Sequence, residues 1–230
     1  MPVTIEKDQT FGVLFQTRFV MNEVVRFILD CSPAKDSFEN LLYNTTFQSL
    51  CEISTNAQEI SDTINSLVNE TEAIQNTKDE FNRLFIGPAS LPAPLWESVY
   101  LGQEHLLFEE PTLRVRKCYQ EYGLHFIREN NEPEDHIVIE LEFLSYLTQE
   151  IFESEDEAYT KKLIEDQAHF LNDHLLKWAP KFCDKLLDAT ISPLYQSVAL
   201  LLKEYLELEK EVANFWGEVL IKPEVNQIPN

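Results

Sequence analysis

Apolar residues recur at three- and four-residue steps along most of the chain, which is the period of an amphipathic helix. The stretch from Phe11 to Ile28 shows this pattern and predicts a helix that ends before a Ser-Pro pair. From Ile137 to Ile151 the apolar positions fall on a single stripe about four turns long. Further amphipathic helices are predicted at about 157–178 and 193–215.

Weaker helical patterns cover residues 36–78 and 113–122, and the second of these is followed by a turn at Gly123. We find neither an internal repeat nor a segment that alternates polar and apolar residues at period two. The pattern therefore predicts an all-α protein of roughly eight or more helices in a single globular domain over residues 1–222. Residues 223–230 have no apolar pattern and are predicted to form a loose C-terminal tail.

The helical pattern is interrupted between Phe81 and Leu101, where Pro88, Pro92 and Pro94 lie close together. A proline lacks the amide donor and constrains the preceding residue, so these prolines exclude one continuous helix. The same stretch is rich in large apolar side chains. Such side chains in a loop either pack on the core or form an exposed binding surface, and composition alone favours packing.

A polar segment comes directly before the stripe that begins at Ile137. Asn131 or Glu132 suits an N-cap and Pro133 suits the first helical position, while Glu134 and Asp135 complement the positive end of the helix dipole. These signals predict a helix that begins at Pro133.

Composition and charge narrow the classes of function. The chain has 40 acidic and 18 basic residues and a formal net charge of −22. Nucleic acid requires clustered Lys and Arg, so a generic nucleic-acid binder is excluded, whereas an acidic surface favours solubility and a cationic partner. The four cysteines are far apart, and their spacing indicates buried thiols in a reducing compartment instead of a zinc or dithiol site.

The N-terminus has no basic region followed by an unbroken apolar stretch, and no segment approaches the ~20 apolar residues that cross a bilayer. We therefore expect a cytoplasmic protein without stable membrane insertion.

Candidate chemistry is sparse. The sequence has no HExxH, GxSxG, GxGxxG or P-loop motif. His169 and His174 are five residues apart, so on one helix they point to different faces, and we expect solvated or locally satisfied histidines, not metal ligands. Asp135 and His136 are the sharper candidates, as helix caps, as a proton or cation site, or as acceptors for a basic ligand. Periodicity alone favours capping.

Three stretches carry a resemblance to a known family. They are FNRLFIGPASLPAPLWESVYL at 81–101, ENNEPEDHIVIELEFLSYL at 129–147, and HLLKWAPKFCDKLLDATISPLYQSVALLL at 174–202. Together they resemble the TorD/DmsD family of redox-enzyme maturation chaperones, and the DmsD branch in particular.

The resemblance implies an all-α TorD-like fold and a cytoplasmic chaperone that is not an enzyme and needs no cofactor. Such chaperones bind the twin-arginine signal peptide of a molybdopterin-containing reductase, typically a catalytic subunit of the dimethyl-sulfoxide-reductase type, and delay its export until cofactor insertion and folding are complete. Carried over by position, the peptide-binding residues would be Phe81, Leu84, Phe85, Trp96, Tyr100, Glu132, Asp135 and His136. The apolar loop would meet the apolar part of the leader, and the acidic residues would meet its basic part.

Two alternatives stay open at this point. One is an assembly chaperone that binds the mature part of another metalloenzyme, such as a nitrate reductase. The other is an enzyme that uses Asp135 and His136 as an acid-base or metal pair. We expect a monomer that can dimerise by exchange of helical elements.

Overall fold

A computed structural model describes residues 9–104, 106–125 and 133–221. Its helices are α1 (Gln9–Asp30), α2 (Lys35–Leu42), α3 (Thr45–Cys51), α4 (Thr55–Leu67), α5 (Thr71–Phe81), α6 (Glu97–Leu101), α7 (Glu110–Glu121), α8 (Ile137–Glu153), α9 (Glu157–Phe170), α10 (Leu176–Ala189) and α11 (Pro193–Ile221). Two π-helical turns, Asn82–Ile86 and Leu171–Leu175, follow α5 and α9. Within the described residues the extended backbone pairs at a single isolated bridge, between Trp96 and His136. The all-α prediction is confirmed.

Helices α1, α8 and α11 form the centre of the fold. Helix α11 packs against α1, α4, α9 and α10, and α8 packs against α1 and α9. The apolar stripes found in the sequence lie at these contacts, where Val25, Leu141, Leu144 and Leu202 are completely buried. Burial of a leucine or valine side chain stabilises a fold by roughly 1.5–3 kcal/mol, so these stripes supply the main driving force.

A buried ion pair joins the same central helices. Arg18 of α1 donates from Nε to Glu209 of α11 at 2.8 Å and from a terminal nitrogen to its second oxygen at 2.7 Å. The same nitrogen of Arg18 donates to Gln167 of α9 at 2.9 Å. Both charged side chains are almost entirely shielded from solvent. Geometry of this kind fixes the relative positions of three helices.

The start of α8 differs from the sequence prediction. The helix begins at Ile137, and its N-cap is His136, whose Nδ1 accepts from the amide of Val138 at 3.2 Å. Pro133 is therefore not the first helical residue. The residues before Ile137 take part in tertiary contacts with another loop, and these contacts outweigh the local capping signals. Asn131 and Glu132 lie outside the described residues, as does the tail predicted at 223–230.

A second difference concerns the helix predicted at 157–178. Helix α9 ends at Phe170, and the π-helical turn Leu171–Leu175 separates it from α10. His174 lies in this turn and is buried. The apolar period continues across the turn, which is why the sequence pattern did not separate the two helices.

None of the helices in the described part of the chain combines the length and the apolar character that crossing a bilayer requires. The division into a domain at 1–222 and a tail stays a prediction.

Replacing Arg18 with alanine should lower the free energy of unfolding by about 3–5 kcal/mol, because Glu209 would remain buried without its counter-charge. Urea unfolding followed by circular dichroism measures this change. Lys203→Ala is the matched control, since Lys203 contacts Asp184 at a partly exposed site and its loss should change stability by about 1 kcal/mol or less. Equal effects of the two substitutions would contradict a structural role for the buried pair.

Candidate functional site

The loop after α5 and the segment before α8 lie side by side. The amide of Ile137 donates to the carbonyl of Leu95 at 2.8 Å, and the amide of Glu97 donates to the carbonyl of Asp135 at 2.9 Å. Leu95, in the proline-containing loop, is buried. This antiparallel bridge joins two of the three sequence stretches that carry the family resemblance, although they are distant along the chain.

Asp135 anchors this arrangement. Its side chain is fully buried. One carboxylate oxygen accepts from the amide of Ser98 in α6 at 2.6 Å, and the other accepts from the hydroxyl of Thr112 in α7 at 2.7 Å. Both oxygens are thus engaged inside the protein, so Asp135 positions α6 and α7 and does not present its charge at the surface.

His136 and Trp96 form an aromatic pair next to the buried carboxylate. Their ring centroids are 5.2 Å apart in an edge-to-face arrangement. Burial lowers the pKa of His136 from its ordinary value of 6.5 to about 4, so the ring is neutral at pH 7. Because Nδ1 accepts from the amide of Val138, the proton of the neutral ring lies on Nε2. Trp96 is half-buried, and its buried indole nitrogen has no hydrogen-bond acceptor among the described residues.

Glu134 is also turned inward. Its carboxylate receives two hydrogen bonds from Arg116, at 2.8 and 2.9 Å, and it is almost completely buried. The hydroxyl of Tyr119 donates to the backbone carbonyl of Glu134 at 3.3 Å. Asp135 and Glu134 therefore hold the segment before α8 in place, whereas Glu132, the third acidic residue of this motif, lies outside the described residues.

Two further carboxylates, Glu97 at the start of α6 and Glu140 in α8, are buried, and sequence patterns did not identify them. Glu97 contacts Nδ1 of His174 at 2.9 Å, and Glu140 accepts from the indole nitrogen of Trp178 at 3.1 Å. Burial, together with the nearby charge of Glu97, raises the pKa of Glu140 well above its ordinary value. The sequence does hold one sign of a buried carboxylate, because Glu140 comes directly before Leu141, a residue of the apolar stripe.

These acidic groups do not make a metal centre. In the ranges that the structure describes, no group of three or more His, Cys, Asp or Glu side chains is arranged to hold a metal ion. His174 is locally satisfied, as predicted, by its contact with Glu97.

Three of the apolar residues that the resemblance singled out are part of the core. Phe81, Leu84 and Phe85 are each less than 5% exposed. The ring of Phe85 contacts those of Phe81 and Tyr195 with centroid separations of 5.3 and 5.6 Å. These side chains pack in the core beside the proline-containing loop. A ligand bound at the protein surface would not contact them.

Tyr100 is also tied to its surroundings. Its hydroxyl donates to the carbonyl of Pro94 at 2.8 Å, and its ring lies 5.3 Å from that of Trp178. The ammonium group of Lys185 lies 4.9 Å from the same ring. Burial raises the pKa of Tyr100, so its hydroxyl stays protonated. Tyr100 therefore closes the proline-containing loop onto α10.

A run of exposed apolar side chains follows α6, in a loop that the sequence patterns did not single out. Leu106, Leu107 and Phe108 are 56%, 41% and 46% exposed, and we call them the 106–108 tip. Phe108 has a φ of +61°, a conformation that costs a non-glycine residue of the order of 1–3 kcal/mol. Its surroundings must hold the loop in this shape.

Glu109 provides that restraint. Its carboxylate accepts from the amides of Gln103 and Leu106, both at 2.7 Å. Gly102 is needed at the base of the loop, since a Cβ atom there would lie 2.5 Å from the carbonyl oxygen of Ser98 and 2.6 Å from the Glu109 carboxylate. The 106–108 tip is thus presented on a closed loop next to α6.

Comparison with known proteins gives consistent results. Residues 51–184 match the family model described as nitrate reductase delta subunit. The chain is 33% identical over 154 residues to the Tat proofreading chaperone DmsD of Salmonella typhi, covering 67% of this chain and 69% of that protein. It is 33% identical over 162 residues to the chaperone protein TorD of Aliivibrio fischeri, covering 66% of this chain and 74% of that protein.

A third relative and one solved structure extend the comparison. Identity is 37% over 127 residues to a probable Tat proofreading chaperone DmsD of Haemophilus influenzae, covering 55% of this chain and 57% of that protein. The crystal structure of a putative redox enzyme maturation protein from Archaeoglobus fulgidus superposes with a TM-score of 0.52 at 19% identity, over 81% of this chain and 93% of that one. The structural likeness supports the helical fold.

His136 is half-buried and its ring is neutral at pH 7, so it should make stability depend on pH. The unfolded chain binds a proton near pH 6.5 and the folded chain only near pH 4, so stability is fully present above about pH 6.5 and is lost as the pH falls towards 4. The expected loss from this group is of the order of 3 kcal/mol. His136→Asn retains an N-cap acceptor and removes the titration.

Unfolding free energies of the wild type and of His136→Asn, measured between pH 4 and 7, test this prediction. The difference between the two proteins isolates His136 from Glu140, whose raised pKa acts in the opposite direction. Parallel pH profiles would mean that the pKa of His136 is the same in the folded and the unfolded chain, and would contradict the prediction.

Proposed function

This chain belongs to the nitrate reductase delta subunit family, which includes the TorD and DmsD chaperones, and we propose on that premise that it binds the twin-arginine leader of a molybdopterin-containing reductase subunit. It is a redox-enzyme maturation chaperone and not a catalyst. The proposed client is a catalytic subunit of the dimethyl-sulfoxide-reductase type. Binding in the cytoplasm delays its export until cofactor insertion and folding are complete.

The observation that carries the proposal is the bridge between Leu95 and Ile137, which places Trp96 beside His136 at the edge of an apolar loop. A twin-arginine leader has a basic region followed by an apolar segment. A half-buried tryptophan next to a neutral imidazole offers a surface for the apolar segment. The relatives named as Tat proofreading chaperones support the choice of a leader as ligand.

Trp96 is the residue that we place in direct contact with the leader. A buried N–H group without an acceptor costs about 1–3 kcal/mol relative to a satisfied one, and the indole nitrogen of Trp96 has none among the described residues. A peptide carbonyl that accepts from this nitrogen after a small rotation of the ring would relieve that cost. Extended peptides supply such carbonyls along their whole length.

The acidic surface supplies attraction for the basic part of the leader. Glu134 is paired with Arg116, and Asp135 is buried and accepts hydrogen bonds inside the protein, so attraction must come from carboxylates that remain exposed. Glu104, Glu110 and Glu121 are exposed on the loop before α7 and on α7 itself. Exposed charges raise the rate of association more than they raise the affinity, and their attraction for a ligand weakens at high salt.

The buried residues of the proposed site have a positioning role in this proposal. Phe81, Leu84 and Phe85 support the proline-containing loop, and Asp135 fixes α6 beneath Trp96. Substitutions there would weaken leader binding through the shape of the loop. A ligand contact is assigned to Trp96 and His136 and, by resemblance alone, to Glu132.

A second candidate is an assembly chaperone for the mature part of a nitrate reductase or a related metalloenzyme. The description of the matching family model favours it. Such a chaperone would bind the mature subunit and ignore the leader, so the two candidates differ in which client fragment binds.

Titration calorimetry with a twin-arginine leader peptide tests the leading proposal. Micromolar or tighter binding, about −8 kcal/mol, is expected, and it should weaken at higher salt and when the two arginines are replaced with lysine. Trp96→Ala should raise the dissociation constant by about tenfold or more, which corresponds to ~1.4 kcal/mol.

Far-ultraviolet circular dichroism of Trp96→Ala serves as the folding control. Phe215→Ala removes an aromatic side chain that is 60% exposed on α11, and its leader affinity should equal that of the wild type. Absence of binding to any leader, together with capture of the mature subunit, would refute the proposal in favour of the assembly chaperone.

A further inference from the structure

We infer that the 106–108 tip is a docking surface for the apolar segment of the leader peptide. This inference rests on the proposed function and adds a second contact region to it. Trp96 and His136 form the first region, and the tip lies on the loop that connects α6 to α7.

The 106–108 tip exposes three consecutive apolar side chains. Single exposed apolar residues are ordinary on protein surfaces, whereas contiguous ones indicate a binding site. Val13, Ile53 and Ile86 are exposed one at a time. Leu106, Leu107 and Phe108 form an uninterrupted run of large exposed apolar side chains, and Leu113, in the first turns of α7, is 58% exposed as well.

The loop that carries the 106–108 tip is held in one conformation by contacts within the protein. Within the described residues, Phe108 is the non-glycine residue with positive φ. The Glu109 carboxylate and the close approach at Gly102 hold the loop in this conformation. A surface that is fixed before binding loses less conformational freedom on binding, which favours affinity. Strained backbone conformations cluster at ligand-binding and functional sites, and here one of them accompanies three exposed apolar side chains.

The charged residues on either side of the 106–108 tip indicate which ligand fits there. Glu104 is exposed before the tip, and the side chain of Glu110 is 70% exposed after it. Arg114 of α7 lies 3.3 Å from Glu110. The surface is therefore apolar at its centre and acidic at its edges, which complements an apolar segment preceded by basic residues. A second copy of this chain would bring the same acidic edges, and like charges would oppose pairing.

The tip is also connected to the proposed leader site. Thr112 of α7 donates to Asp135, which in turn accepts from the amide of Ser98. Asp135 thus fixes α7, which follows the tip, relative to α6, which follows Trp96.

A double substitution tests this inference in the full-length protein. Leu107→Gln with Phe108→Asn removes two apolar side chains, and asparagine tolerates positive φ better than most residues, so the loop should keep its shape. The matched control is Ile53→Gln with Phe215→Asn, which removes an exposed isoleucine and an exposed phenylalanine from other helices and turns. Calorimetry would use the leader peptide and a second peptide whose apolar segment is replaced with glycine and serine.

The tip variant should bind the leader about tenfold or more weakly than the wild type, while the control variant binds it normally. The peptide without its apolar segment should bind the wild type and the tip variant with equal, weaker affinity. Together these results would support the docking surface.

Three results would overturn it. If the tip variant binds the leader as tightly as the wild type does, the proposed function stands and the tip is not part of its site. If the wild type binds no leader, the proposed function fails and this inference fails with it. If the tip variant loses only binding to the mature client subunit, or only self-association measured by sedimentation, the surface has a different occupant.

Discussion

The hydrogen bonds to the Asp135 carboxylate are the constraint on which the rest of the site depends. A buried carboxylate is tolerated only when its oxygens are satisfied, and here the two donors come from α6 and α7. The loop that leads to α6 contains Pro92 and Pro94, cannot form a continuous helix, and therefore has little local structure to fix its path. Asp135 replaces that missing local structure with a tertiary anchor. The bridge at Leu95 and Ile137 then follows, because the amide of Ser98 can reach the carboxylate only when the two segments run side by side.

This anchor divides the acidic residues into two groups with different roles. Glu134, Asp135 and Glu97 are buried and form internal hydrogen bonds or ion pairs, so they determine shape. The carboxylates at the surface, such as Glu104 and Glu110, determine the electric field that a basic ligand meets. A formal net charge of −22 does not distinguish these groups. Because screened surface charges act mainly on encounter, the affinity of the proposed complex with a leader must come largely from apolar contacts.

The sequence predicted the fold well and the site only in part, and the difference has a physical origin. Helical periodicity is a local property, so α1, α8 and α11 were found from their apolar stripes, and the resemblance located the two segments that meet at the bridge. The start of α8 was placed at Pro133 because the capping signals there are locally strong, yet the contacts of Asp135 and Glu134 exist only in the folded chain. The same holds for Gly102, whose role is set by the carbonyl of Ser98 and the Glu109 carboxylate. Phenylalanine prefers a negative φ, so the apolar pattern of the sequence does not predict the positive φ of Phe108.

The positions that carry the resemblance are therefore mostly those that build the scaffold. Leu84, Phe85 and Asp135 are buried, and a change at any of them would alter packing before it altered recognition. The exposed apolar groups that follow α6 on the chain lie in the 106–108 tip, outside the three motifs that carry the resemblance but inside the stretch that the family model matches. In the proposed function, the buried framework sets the shape of the site, and the surface side chains that it holds in place contact the leader. Such a scaffold allows surface residues to change without loss of the fold, so specificity for one leader would depend on those surface contacts.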